Sequence, residues 1–315
     1  MACERQVQKA TLAAAASGGS RQVSRGAHLS GQAIRQAASW MKQNPNQARL
    51  YGLLALKIGQ TLLKTAQGLA AYRKNQVQWD VEPGGPGQPA FVYGQTTGSV
   101  TRQDRQHAET VKAGLDLVSQ QVGRPDITQV TIADDLAFGE ARFRLTKAAL
   151  ENRPLGRRTY AKVYQALKPV MVGRYFMESQ WGQGPVAFTS ADSQEIVFNR
   201  KHLADEAKSE VFGYGRYLAV HEALHRVPRL PGSRNLKTWP GRLKEEALVD
   251  AIAARLVEPG YKGPRSGYDT VRRLADFQAC LIAKASGRQP LEVLVRQLKL
   301  DPEARPTAAG PAERS

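Results

Sequence analysis

The 315-residue chain contains two cysteines and five histidines. Cys3 and Cys280 stand 277 positions apart, so neither a disulfide framework nor a cysteine-based zinc knuckle can be written, and a small secreted staple fold is excluded. Long hydrophobic runs are also missing. The most apolar window, Leu50 to Tyr72, is interrupted by Lys57 and Lys64, and its longest strongly apolar run, LYGLLAL, is too short to span a bilayer. The opening MACERQVQKATLAAAASGGSRQ has an acid at position 4 and only a short, weakly apolar run from Thr11 to Ala16, which does not make a secretory signal. The location expected from these absences is the cytoplasm, or delivery as an effector without a signal peptide. Acid-poor openings with Arg and Ser also mark organelle transit peptides.

Acidic residues are scarce in one place. The first 75 residues hold 11 Lys and Arg against Glu4 alone, or +10, while the remaining 240 hold 34 basic and 27 acidic side chains, or +7 of the total +17. Residues 1–78 therefore read as a basic, Gln- and Ala-rich arm. Helical spacing over 31–43 and 47–74, with Pro45 between, predicts a helical hairpin. Its charge suits an anionic membrane or nucleic acid; the competing reading is a solvated basic face whose Leu side packs on the body or another copy. Base-stacking aromatics are not interleaved with its cations.

Apolar residues make up 42% of the chain, enough for a substantial core. Residues 79–100 concentrate Gly and Pro and read as a linker. From 101 to 300 the pattern predicts a folded domain. Helices are expected at 105–122, 139–151 and 158–167, and a strand at 127–132 closed by Asp134 and Asp135. Three strands with hairpin connections are expected in PVMVGRYFMES, GPVAFTS and EIVFN. Helices follow at 205–227, 241–257, 268–286 and 290–299. Mixed elements followed by a run of helices predict an α+β fold. His28, His107 and His202 are isolated and read as surface or capping residues, and Cys280 reads as a buried small hydrophobe. The Pro- and Ala-rich tail, 301–315, is expected to be disordered.

The helix at 205–227 contains His221, Glu222, Ala223, Leu224 and His225, an HExxH pattern. Four residues is about one helical turn, so both imidazoles lie on one face and can meet one cation, with Glu222 beside them. Two neutral imidazoles and a carboxylate suit Zn²⁺ and leave a fourth position for water. With five His and 16 Glu in the chain, chance would supply the pattern in on the order of a few chains per thousand. Apolar residues surround it, where an unligated pair of imidazoles is costly to bury, and Pro228 stops the helix just beyond. A segment with three prolines leads to EEALVDAIAARL, in which Glu246 and Asp250 share a helix face at i and i+4.

This arrangement resembles the gluzincin clan of zinc metallopeptidases, the thermolysin-like group, in which HExxH is followed about twenty residues later by ExxxD on a second helix. Glu246 lies 21 positions after His225. The resemblance implies a zincin-like metallopeptidase domain, with one zinc held by His221, His225 and Glu246, and Asp250 orienting His221 through its far ring nitrogen. Glu245 competes as third ligand, but position 249 is Val, so it lacks an acid four positions on. The resemblance also implies an edge strand that binds the substrate backbone, for which Val186, Ala187 and Phe188 are candidates; an ordinary core hairpin is the competing reading for these residues. The chain departs from large thermolysin-like enzymes in having no histidine after His225. An oxyanion would then fall to Tyr261, Arg265 or Tyr268. The compact layout looks more like the minimal gluzincins of bacterial effectors and toxins.

The expected activity is metal-assisted hydrolysis of a peptide bond in a protein or peptide substrate, with Glu222 as general base and then general acid. The alternative is a virion- or complex-associated structural protein whose arm binds nucleic acid or membrane and whose zincin fold is not catalytic.

Overall fold

A computed structural model of the chain describes residues 39, 42–152, 155–182, 184–190, 193–203, 214–231, 238–257 and 269–300, with the backbone alone at 47–58, 155–158 and 269. The chain divides into two units, Met1–Leu63 and Lys64–Ser315. Helix α1 (Pro45–Lys74) crosses that boundary. The expected helix at 31–43 and the tail at 301–315 lie almost wholly or wholly outside the described residues. Among the described residues, no helix is long and apolar enough to cross a membrane.

The second unit is mixed α+β, mostly helical, around a small sheet. Its strands are β1 (Gln78–Glu82), β2 (Ala90–Gln95), β3 (Gln129–Ala133), β4 (Ala187–Thr189) and β5 (Glu195–Asn199), in the order β1-β2-β3-β5-β4. The reading of 79–100 as a linker is corrected here. Its Gly and Pro are concentrated in a loop at 83–89, while the flanks pair antiparallel from Gln78↔Gln95 to Glu82↔Phe91. Hairpin connections describe only the two ends of the sheet. The central strands β2, β3 and β5 are parallel, which requires crossovers.

Helix α2 (Arg102–Gln121) makes the first crossover, and α3 (Asp135–Glu151), α4 (Leu155–Ala166) and α5 (Lys168–Gln180) lie within the second. Central strands with both faces covered read as continuous apolar runs. Accordingly, Val130, Ile132, Ile196 and Phe198 join one cluster with Val111, Leu115 and Val118 of α2, while Val197 joins Ala137, Phe138 and Ala141 of α3 on the other. His107 follows the buried stripe of α2 and is 7% exposed, so its reading as a surface group is also corrected.

The strand expected in PVMVGRYFMES is instead helix α5. Pro169 sits in its first turn, where a missing N–H costs nothing. Burial on more than one side removes the one-faced signature of an amphipathic helix. Gly139 of α3 lies against Val172 and Tyr175, and a Cβ on Gly173 would meet the Gly68 carbonyl carbon of α1 at 2.5 Å.

After β5 come α6 (Arg200–Leu203), α7 (Tyr214–Arg226), α8 (Trp239–Val257), α9 (Asp269–Ser286) and α10 (Pro290–Gln297). Cys280 on α9 is half-buried, and Arg255 Nη2 donates to its sulfur at 3.1 Å. It is therefore a hydrogen-bonded group at the α8–α9 contact and not an inert core thiol. Asp134 caps α3, accepting from Leu136 and Ala137 N–H at 3.1 and 2.9 Å and from Thr96 N–H at 2.6 Å. Asp135 accepts from Asn199 at 2.7 Å and pairs with Lys201 at 3.0 Å.

Asp104 ties the start of α2 to the start of α6, just past β5. It closes a capping box with Thr101 and meets Arg200 Nη1 at 3.1 Å. Burial alone would raise its pKa, but the Thr101 hydrogen bonds and the Arg200 guanidinium outweigh burial and hold the carboxyl below its usual range. A depressed carboxylate contributes stability above its unfolded pKa, and that contribution is lost as pH falls through the lower folded value. Asp104→Asn should therefore cost about 1–3 kcal/mol at neutral pH. In urea titrations repeated across pH, the gap from wild type should close below about pH 4.

Candidate metal centre

Helix α7 carries His221 and His225 one turn apart, with Tyr217 one turn earlier on the same stripe. Its other faces are buried by Leu218, Ala219, Val220, Ala223 and Leu224. Gly114 of α2 permits a close approach here, since a Cβ at that position would stand 2.7 Å from the Ala219 methyl group. Helix α8 supplies the acids and packs through Leu248, Val249, Ala251 and Ile252 into the same core. Tyr217 and His221 face Asp250, while His225 faces Glu245 and Glu246. The two helices thus run antiparallel, and one turn of α7 matches one turn of α8.

The histidine Nε2 atoms are 3.3 Å apart. Glu246 Oε2 lies 3.4 Å from Nε2 of His221 and 3.6 Å from that of His225. A tetrahedral ion with bonds of about 2.0–2.1 Å separates its ligand atoms by about 3.3–3.4 Å, so these three atoms have the spacing that one small cation requires. They form the three-residue group able to hold a metal among the described residues. The site opens at Glu246, whose side chain is 27% exposed against 12% and 8% for the two histidines.

The outer ring nitrogens are also engaged. His221 Nδ1 lies 3.1 Å from Asp250 Oδ1, and the Tyr217 hydroxyl donates to that same oxygen. His225 Nδ1 lies 3.4 Å from Glu245 Oε1, which pairs with Arg229 Nη2 at 2.8 Å. Arg229 also donates to the carbonyls of Leu224 and Val227 at 3.0 and 3.1 Å. Its own backbone is held to the residues just after α10 by a bridge to Leu300 and by the Leu230 N–H donating to the Lys299 carbonyl at 3.0 Å. Glu245 and Glu246 therefore occupy opposite sides of the His225 ring, Glu246 at Nε2 and Glu245 at Nδ1.

Burial by itself would lower the His221 pKa. Hydrogen bonds to Asp250 and Glu246 and the charge of Glu222 overcome it and push the value up to about 10. His225 is raised despite burial by Glu245 and Glu246, and both imidazoles hold Glu246 far below the carboxylate range against its burial. The pocket favours positive charge at its centre.

The other sequence candidates are distributed as follows. Glu222 is half-buried next to His221. Ala187 and Phe188 belong to β4, an edge of the sheet that packs against α7. Val186 and Ala187 point into the core shared with α7, and Phe188 packs on the opposite cluster. Among the described residues, β4 pairs on one side alone, with β5. Tyr261, Arg265 and Tyr268 lie outside the described residues.

Sequence reasoning missed Tyr217, Arg229 and the Glu245–His225 contact. Tyr217 was visible as the i−4 member of the histidine stripe; the other two depend on how α8 lies against α7.

Comparison with protein-family models, curated proteins and solved structures gives no match for this chain.

If the contacts at Nδ1 orient the imidazoles, removing them should weaken metal binding without removing a ligand. Asp250→Asn and Glu245→Gln should each lower Zn²⁺ affinity about 10–100-fold, measured by competition with a chromophoric chelator. Tyr217→Phe, which deletes one donor to Asp250, should have a smaller effect of the same sign.

Proposed function

We propose that the chain is a zinc-dependent peptidase with a zincin-like domain, in which His221, His225 and Glu246 hold one Zn²⁺. The observation that carries this reading is the mutual spacing of 3.3, 3.4 and 3.6 Å among the two Nε2 atoms and Glu246 Oε2. It is supported by the gluzincin-like order HExxH…ExxxD and by Asp250 standing behind His221 as that order implies. The donor set fits the ion chemically as well, with two imidazoles, one carboxylate and a carboxylate against each far ring nitrogen. Bound there, zinc supplies a Lewis acid for the scissile carbonyl and makes a water molecule acidic enough to react near neutral pH.

The chain's own residues do the rest. Asp250 and Glu245 hold the two imidazoles with Nε2 inward. Glu222, half-buried beside His221, takes a proton from the attacking water on its carboxylate and passes it to the nitrogen of the departing amine. Water adds its oxygen to the carbonyl carbon, the C–N bond breaks, and Glu222 returns to its starting charge. The edge of β4 is suited to hold an extended peptide by main-chain hydrogen bonds, so the substrate class is an extended segment of a protein or peptide.

Purified protein should carry about one zinc per chain. His221→Ala should abolish metal retention, while Glu222→Gln should retain zinc and lose cleavage of a mixed peptide library by about 10²–10⁴-fold. Zinc retained by wild type with no cleavage of any library member would remove the enzymatic claim and leave the metal centre standing.

A further inference from the structure

The part of the molecule that the metal centre does not explain is the charge and shape of α1. The first unit, 1–63, holds eight basic residues and one acid, or +7, and α1 has no acid anywhere in its 30 residues. At about 100° per residue, Leu50, Leu54, Ile58 and Leu62 fall in one arc of about 120°. Arg49 and Lys57 are centred about 120° round the helix from the middle of that arc, where they share a side with Asn46 and Gln60 and, among apolar residues, Leu53 and Leu56. Leu62 and its neighbour Leu63 are 65% and 56% exposed.

Within the second unit, Lys64 of the same helix stacks over Trp181 at 3.9 Å, Gly68 lies against Gly173, and Tyr72 packs with Val172 and Tyr175.

We propose that α1 between Pro45 and Leu63 lies on anionic lipid bilayers, with its aliphatic stripe at the acyl boundary and its cations against the headgroups. A bilayer surface satisfies both halves of the helix at once: apolar burial takes the leucines out of water, and the surface potential attracts each Lys or Arg. Nucleic acid would satisfy only the cations. It would leave the stripe hydrated, and the helix offers no interleaved aromatics on which bases could stack. Lys57 and Gln60 at mid-helix favour lying on the membrane over crossing it, in keeping with the absence of a described helix apolar enough to span. This inference is independent of the peptidase reading, because none of its residues belongs to the metal centre.

The test uses the full chain in co-sedimentation with vesicles of phosphatidylcholine alone or with one-third phosphatidylserine. Binding should be at least about tenfold tighter to the anionic vesicles and should weaken as salt rises. Leu54→Glu/Ile58→Glu and Arg49→Gln/Lys57→Gln should each weaken it by at least about tenfold, with unchanged zinc content and far-UV circular dichroism as controls on folding. As a second measurement that does not depend on the glutamate variant folding, Leu54→Trp should be quenched by brominated lipid only in anionic vesicles. Three results would overturn the proposal: equal binding to neutral vesicles, duplex DNA bound through Arg49 and Lys57 while vesicles are not, or a stripe variant that abolishes only self-association.

Discussion

Asp250 is wholly buried, and a carboxylate without exposure persists in a protein only where donors surround it. Two of its partners are the Tyr217 hydroxyl and the His221 ring, both from α7. That requirement fixes the register of α8 against α7. Once Asp250 lies between Tyr217 and His221, the antiparallel course of α8 carries Glu246 to the Nε2 atoms and Glu245 to the far side of His225. A shift of α8 by one residue would turn the carboxylates away and leave Asp250 among aliphatic side chains. The register of the seam and the geometry of the His221, His225 and Glu246 cluster are therefore one constraint.

The rest of the second unit keeps that seam from slipping. The sheet presents Val130, Ile132, Ile196 and Phe198 to the same core that buries α2, α7 and α8. Gly114 brings α2 within backbone distance of α7. Arg229 acts at the exit of α7, where Pro228 has ended the helix and left carbonyls without intrahelical donors. By donating to Leu224 and Val227 while paired with Glu245, it caps α7 and ties α8 to it with one guanidinium, a use suited to Arg because its planar fork holds several acceptors.

What was legible in the sequence was whatever depends on spacing within one helix. His221 with His225, and Glu246 with Asp250, are i and i+4 pairs, and their shared faces follow from helical geometry alone. The helices of the second half were legible from their length, their apolar content and their flanking Gly and Pro, although α7 and α8 are buried on more than one face. Residues 169–179 were misread because α5 is buried on more than one side and rich in Val, Tyr and Phe, so its composition resembled a strand. The hairpin of β1 and β2 was hidden by a loop so rich in Gly and Pro that its window average concealed the flanking strands. The role of Glu245 could not be read, because two adjacent acids on a helix differ only in which neighbour each faces, and that depends on packing.

The charge of the molecule also has to be divided by place. The +17 of the chain is concentrated in its N-terminal quarter, whereas the candidate metal centre gathers Glu222, Glu245, Glu246 and Asp250 around two imidazoles and Arg229. With neutral imidazoles, four carboxylates and one guanidinium leave −3. A dication held by the Nε2 atoms would bring this to −1, counting Arg229 against Glu245 and the two charges of the ion against Glu246 and Asp250. The carboxylate left over is Glu222. In the proposed hydrolysis, the carboxylate that this count leaves over is the one that would accept the proton from water.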